Sequence, residues 1–180
     1  MRRSALLLLV SVVLVACAEE PAPTTPANEP APSVDPIQAS RLDIYESLAR
    51  ELVGAEATEW KRIVIVSELC ANAGSPERAD DCDDALTPDE QDELGRRLDG
   101  LAPRISFMED PTPVYDEDWF TGVPETIVIR MGTIEEQGDG VEVGGSFGCG
   151  GLCGSGTTYL LERTTDGWEV VGTRGSAWIA

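Results

Sequence analysis

Apolar positions along the chain fall into three regimes. Ala5 to Val15 is one short run, apolar throughout except for Ser11. Residues 18–36 have almost nothing to bury. From Ile37 onward the apolar residues return with a period. Ile37, Ile44, Tyr45, Leu48 and Leu52 recur at helical spacing with Leu42 beside them, and predict an amphipathic helix. Asp35 stands where a cap belongs, Pro36 fits the first turn, and Gly54 ends the pattern. Ile63-Val64-Ile65-Val66 is β-branched throughout, which suits a buried strand better than a helix.

A loop with Asn72, Gly74 and Pro76 follows. Thr87-Pro88-Asp89-Glu90 then opens a second helix. Thr87 is its cap, Pro88 its first residue, and Glu90 closes a capping box. Leu94, Leu98 and Leu101 line one face, and Pro103 marks the end. Residues 108–124, with five acids and three prolines around Trp119 and Phe120, read as a loop. Beyond Thr126 the period changes to two. Ile127, Ile129 and Met131 alternate with Val128 and Arg130, and Gly138-Asp139-Gly140 turns the chain into Val141–Phe147. Thr157–Arg163 and Trp168–Thr173 flank Thr165-Asp166-Gly167, a hairpin signal. Trp178-Ile179 reads as a last short strand. The expectation is an α+β domain over residues 37–180: two helices packed on one face of an antiparallel sheet, one strand between the helices, and a C-terminal β-meander.

The apolar run near the N-terminus has 11 residues, too few for a bilayer span of about 20. With Met1, Arg2 and Arg3 before it, the run has the form of a signal-peptide core. It ends in Leu14-Val15-Ala16-Cys17, which resembles the lipobox of bacterial lipoproteins. The resemblance implies cleavage after residue 16 and lipid (diacylglyceryl and palmitate-type acyl chains) on Cys17. The protein would then lie on the non-cytoplasmic side of the cell envelope. In that family an aspartate just after the cysteine favours the inner membrane. Here Ala18 and Glu19 follow, which leans towards the outer membrane of a two-membrane cell. Residues 17–36 would be the lipidated cysteine and a tether. Six of the chain's 12 prolines lie there, and such a segment stays extended.

Charge narrows the partners. The chain has 33 acidic and 13 basic residues and a formal charge of −20. That argues against nucleic acid, whose phosphates call for Lys and Arg. Loss of Arg2 and Arg3 makes the body more negative still. Membrane affinity must therefore come from acyl chains, at about 0.8 kcal/mol per buried CH₂. The chain has no histidine, which removes Ser-His-Asp and Cys-His mechanisms and imidazole metal sites.

Four cysteines besides Cys17 read as disulfides in an exported chain, with three possible connectivities. Local pairing is favoured. Cys70 with Cys82 would close a 13-residue loop worth about 3 kcal/mol in the chain-entropy model. Cys149 with Cys153 needs a tight turn, because four residues of strand separate α-carbons by about 13 Å and a disulfide needs less than about 7 Å. Gly150-Gly151 makes that turn accessible. A zinc site is the weaker reading, since the spacings lack a Cys-x2-Cys knuckle. A redox pair at Cys149 and Cys153 is also weaker, since no cation lies near in sequence to activate a thiol. No cofactor is expected.

Other motif matches carry little. Gly144-Gly145-Ser146-Phe147-Gly148 fits a nucleophile elbow, but there is no histidine base and the chain continues as strand. Gly148 to Gly156 lacks the lysine of a phosphate-binding loop. Asp80, Asp81, Asp83 and Asp84 are weak calcium candidates: oxygen ligands suit Ca²⁺, yet the EF-hand spacing is absent, and a solvated acidic surface is the plainer reading. Two carboxylates can hydrolyse glycosides, but 33 acids do not single out a pair. The Trp residues (60, 119, 168, 178) and Tyr residues (45, 115, 159) read as packing rather than as a sugar platform.

Phe147-Gly148-Cys149-Gly150-Gly151-Leu152-Cys153-Gly154, followed by Gly167-Trp168-Glu169-Val170 and Trp178-Ile179, resembles the tail of an uncharacterised exported bacterial family with a Cys-Gly-Gly-Leu-Cys-Gly loop. The resemblance implies no catalytic residue. The expected protein is a membrane-anchored envelope lipoprotein, acting as a non-enzymatic binding or structural module for an envelope protein or a glycan. The alternative is a carboxylate-dependent envelope enzyme such as a glycan hydrolase.

Overall fold

The computed structural model describes residues 36–54, 60–76, 82–115, 124–151 and 153–180, with side chains from Ser40 onward. The signal segment, Cys17, the proline-rich stretch, Asp35, Trp119 and Phe120 lie outside the described residues.

The first helix, α1, is Pro36–Val53. Its apolar stripe is the expected one: Ile44, Tyr45, Leu48, Ala49, Leu52 and Val53 are buried. It ends at Gly54, which takes φ +67° and returns its N–H to the Arg50 carbonyl at 3.1 Å. The second helix, α2, is Pro88–Arg97. The Thr87 hydroxyl accepts from the Glu90 N–H at 3.3 Å, and the Glu90 carboxylate accepts from the Thr87 N–H at 2.8 Å, so the capping box is complete. Leu94 and Leu98 are fully buried. Arg97 links the helices, with its Nε 2.7 Å from Glu93 and its Nη1 facing both Asp43 and Glu46.

Six strands form the main sheet, in the order β4-β1-β5-β6-β7-β8. They are β1 (Arg62–Val66), β4 (Ile105–Met108), β5 (Thr126–Gln137), β6 (Gly140–Gly150), β7 (Cys153–Thr164) and β8 (Gly167–Ile179). Two-residue strands β2 (Glu68–Leu69) and β3 (Asp84–Ala85) pair separately. The fold is α+β with a C-terminal antiparallel meander over β5 to β8. The sheet is mixed, because β1 pairs in parallel with both β4 and β5. Strand β4 and these parallel pairings were not expected from the sequence. They explain why β1 is apolar on both sides, since a strand inside a sheet covered on both faces has no solvent side. Ile63 and Ile65 join the helix-side core, while Val64 and Val66 join Val114 and Val128 on the opposite face. Trp178-Ile179 continues β8 past an irregularity rather than starting a new strand.

Tyr45 is the polar exception in the helix-side core. It is 1% exposed, and its hydroxyl donates to the Gly132 carbonyl at 3.0 Å, where β5 shifts register between Met131 and Ile134. Burial pushes its phenol above the ordinary value of 10.0, against the pull of Arg41. Tyr45→Phe should cost about 1 kcal/mol near neutral pH. Above pH 10 the unfolded chain ionises this phenol while the folded chain resists it. Wild-type stability should therefore fall as pH rises past that point, and the phenylalanine variant should be spared this part of the loss. Urea midpoints at pH 7 and pH 11 check this: the gap between the two proteins should shrink, and a constant gap contradicts it.

Candidate functional site

Both cysteine pairs are disulfides of the described fold. Cys70 and Cys82 have α-carbons 3.9 Å apart and tie the end of β2 to the start of β3. Cys149 and Cys153 have α-carbons 5.2 Å apart. Between them Gly150 and Gly151 take φ +95° and +57°, the turn that the spacing demanded.

The segment after Cys70 does not run into solvent. It lies flat on the sheet face away from the helices. A Cβ added at Gly132 would sit 2.9 Å from the Cys70 carbonyl oxygen, and one at Gly144 3.0 Å from the Gly74 nitrogen. One at Gly156 would sit 2.9 Å from the Gly74 oxygen. These three glycines stand on neighbouring strands β5, β6 and β7, and together they make a side-chain-free seat. Trp178 of β8 fastens the segment there, its indole N–H donating to the Gly74 carbonyl at 2.9 Å. The Trp178 carbonyl in turn accepts from the Ser155 hydroxyl at 3.0 Å.

A cleft of about 500 Å³ opens beside this seat. Val66, Val128, Arg130, Ser146 and Gly148 line it from β1, β5 and β6. Arg130 stands opposite Ser146, and Val128 opposite Gly148, across the β5–β6 ladder. One wall is Ser75-Pro76 with Trp178, another is the chain from Glu109 to Tyr115, and the third is the Cys149–Cys153 turn. The Glu109 wall includes a short 3₁₀ turn at Thr112–Val114. The cleft thus borders the C-terminal ends of parallel strands β1 and β4, a common place for ligands in parallel sheets.

The charge layout of the cleft is asymmetric. Arg130 is the only cation among the described lining residues, is half-buried, and makes no ion pair or hydrogen bond among the described residues. Glu68, Glu109 and Asp110 are exposed at the mouth. Tyr115 reaches over the floor, since a Cβ at Gly148 would lie 3.1 Å from its hydroxyl. Burial pushes the Tyr115 phenol up, with the Arg130 charge pulling the other way. The hydroxyl is therefore a neutral donor at physiological pH.

The residues singled out in the sequence are distributed unevenly around this site. Cys70 and Cys153 line the cleft, whereas Asp83 and Asp84 lie away from it. Asp84 is 3.0 Å from Arg41 and accepts from the Ala85 N–H at 2.7 Å, so its carboxylate is engaged. Asp80 and Asp81 lie outside the described residues. No group of three or more metal-capable side chains occurs among the described residues. Of the aromatic residues, Tyr45, Trp60, Tyr159 and Trp168 pack in or against the core, but Tyr115 and Trp178 line the cleft. Arg130 was not singled out by sequence. Its signal was a cation between Val128 and the small residue Gly132, on a strand whose other face carries Ile127, Ile129 and Met131.

No described helix is long and apolar enough to cross a membrane. No protein-family model, curated protein or solved structure matches the chain.

Proposed function

We propose that the protein is a lipid-anchored envelope binding module whose ligand site is the cleft beside the glycine seat. The observation that carries the binding role is the half-buried Arg130, without an ion pair among the described residues, on the floor of a cleft of about 500 Å³ whose described lining also includes Val66, Val128, Pro76, Pro111 and several glycines. Sites for small molecules have this make-up: an apolar lining with a few placed polar groups. The lipobox-like Leu14-Val15-Ala16-Cys17 supports the anchor, and the proline-rich residues 18–36 support a role as spacer between membrane and domain.

The alternative, a carboxylate enzyme on glycans, has Glu68, Glu109 and Asp110 at the cleft mouth in its favour. All three are exposed, whereas glycoside hydrolysis needs two carboxyl groups that flank the scissile bond.

Two variants of the full chain test the proposal. Cys17→Ser should move the protein from the membrane fraction to the soluble fraction. Gly148→Leu should fill the cleft floor. Small molecules carried through purification from envelope extracts, read by mass spectrometry, should include a species held by the wild type and absent from the leucine variant. Identical profiles for two proteins with the same melting temperature would rule out the cleft as the site.

A further inference from the structure

Arg130 is held in an environment that asks for a counter-ion. The chain carries −20 overall, yet the described lining of its cleft holds one guanidinium, and no described acid engages it. Nearby Arg residues on the helix side are treated differently. Arg41 is 3.0 Å from Asp84 and 3.4 Å from Glu90, and Arg97 is clamped by Glu93 and Asp43. Arg130 projects from the sheet between two valines and a serine, with the Tyr115 hydroxyl over the neighbouring Gly148.

We propose that the cleft takes a monocarboxylate with an apolar body: the carboxylate on Arg130 and Tyr115, the apolar part against Val66, Val128 and Pro111. This rests on the cleft being the binding site. The planar guanidinium offers parallel donors that fit a carboxylate in two-point fashion. A single guanidinium balances one negative charge. The three acids at the mouth disfavour a dianion, so a phosphate monoester is the poorer match. The buried valines and Pro111 give an uncharged organic body a dry surface. The same acids can accept hydrogen bonds from an amide or ammonium group that projects towards solvent.

The test is a methyl NMR titration of the full chain in detergent micelles, reading the Val66 and Val128 methyl groups. The probes are N-acetylleucine, its primary amide N-acetylleucinamide, and inorganic phosphate. The expected result is that N-acetylleucine shifts both valines at a concentration at least tenfold lower than the amide does. Arg130→Gln should erase that tenfold preference while Arg130→Lys keeps part of it, so that a folding defect in one variant leaves the other to decide. Equal shifts from acid and amide would overturn the carboxylate assignment and leave the cleft as a binding site. Stronger shifts from phosphate than from the acid would overturn it too. No shift from any probe would overturn both the assignment and the cleft reading beneath it.

Discussion

Gly74→Ala is expected to destabilise the fold by about 3 kcal/mol, at the upper end of what inserting one methyl group into a packed interior costs. A Cβ at this position would lie 2.2 Å from the Thr157 carbonyl oxygen, 2.6 Å from its carbon and 3.3 Å from the Gly145 nitrogen. These are backbone atoms of β7 and β6, which are paired to each other over most of their length. They cannot yield as a side-chain tip would. Either the strands separate locally or the segment lifts from its seat, and lifting also breaks the Trp178 to Gly74 hydrogen bond. Gly172→Ala is the control, because nothing lies within 4 Å of a Cβ there. It should stay within about 0.5 kcal/mol of wild type. Urea denaturation of the three proteins measures the difference. Equal midpoints for the two variants would mean that the segment is not pressed onto the sheet.

Removing the Cys70–Cys82 bond by the double change Cys70→Ala, Cys82→Ala should cost about 3 kcal/mol, from the loop-closure entropy of a 13-residue ring. The local structure gives little else to compensate. Strands β2 and β3 are two residues each. The paired change at Cys149 and Cys153 opens a much smaller ring, for which the same relation gives about 2 kcal/mol. Thermal melts of both double variants should therefore rank the Cys70–Cys82 loss as the more damaging. The reverse order would show that the glycine turn at 150–151 depends on its bridge for more than chain entropy. The first pair should also weaken ligand binding, since Ser75 and Pro76 of the bridged segment form a cleft wall.

The elements built from local signals were legible in advance. Four residues, Thr87 to Glu90, specified the start of α2, and they are found making both capping bonds. The alternation around Ile127 and Ile129 placed β5, and the Asp166-Gly167 pair placed the turn before β8. The features that depend on distant partners were not legible. Ile105–Met108 carries no clean alternation, and all four residues are half-buried. It is a strand because β1 pairs with it in parallel. The glycines from 148 to 156 read as a loop, and Gly144 as an ordinary residue of the Val141–Phe147 strand. Gly132, Gly144 and Gly156 are all strand residues, and another backbone lies on each of them. Arg130 looked like an outward-facing strand position. The Glu109–Tyr115 segment, the glycine seat and the Cys149–Cys153 turn make that face a cleft.

The bond from Trp178 to Gly74 joins residues 104 positions apart. The β5–β8 meander, by contrast, is made of neighbours joined by tight turns, and contacts so close in the chain form early. The order of assembly follows. The meander can close as a unit, and the earlier half, with β1 waiting for β5, settles onto it afterwards. A chain emerging from its N-terminal end cannot fasten the Cys70–Pro76 segment until Trp178 is free. The cleft thus takes shape only after the meander has, and a copy stopped a few residues short of Trp178 would have the sheet without the pocket wall.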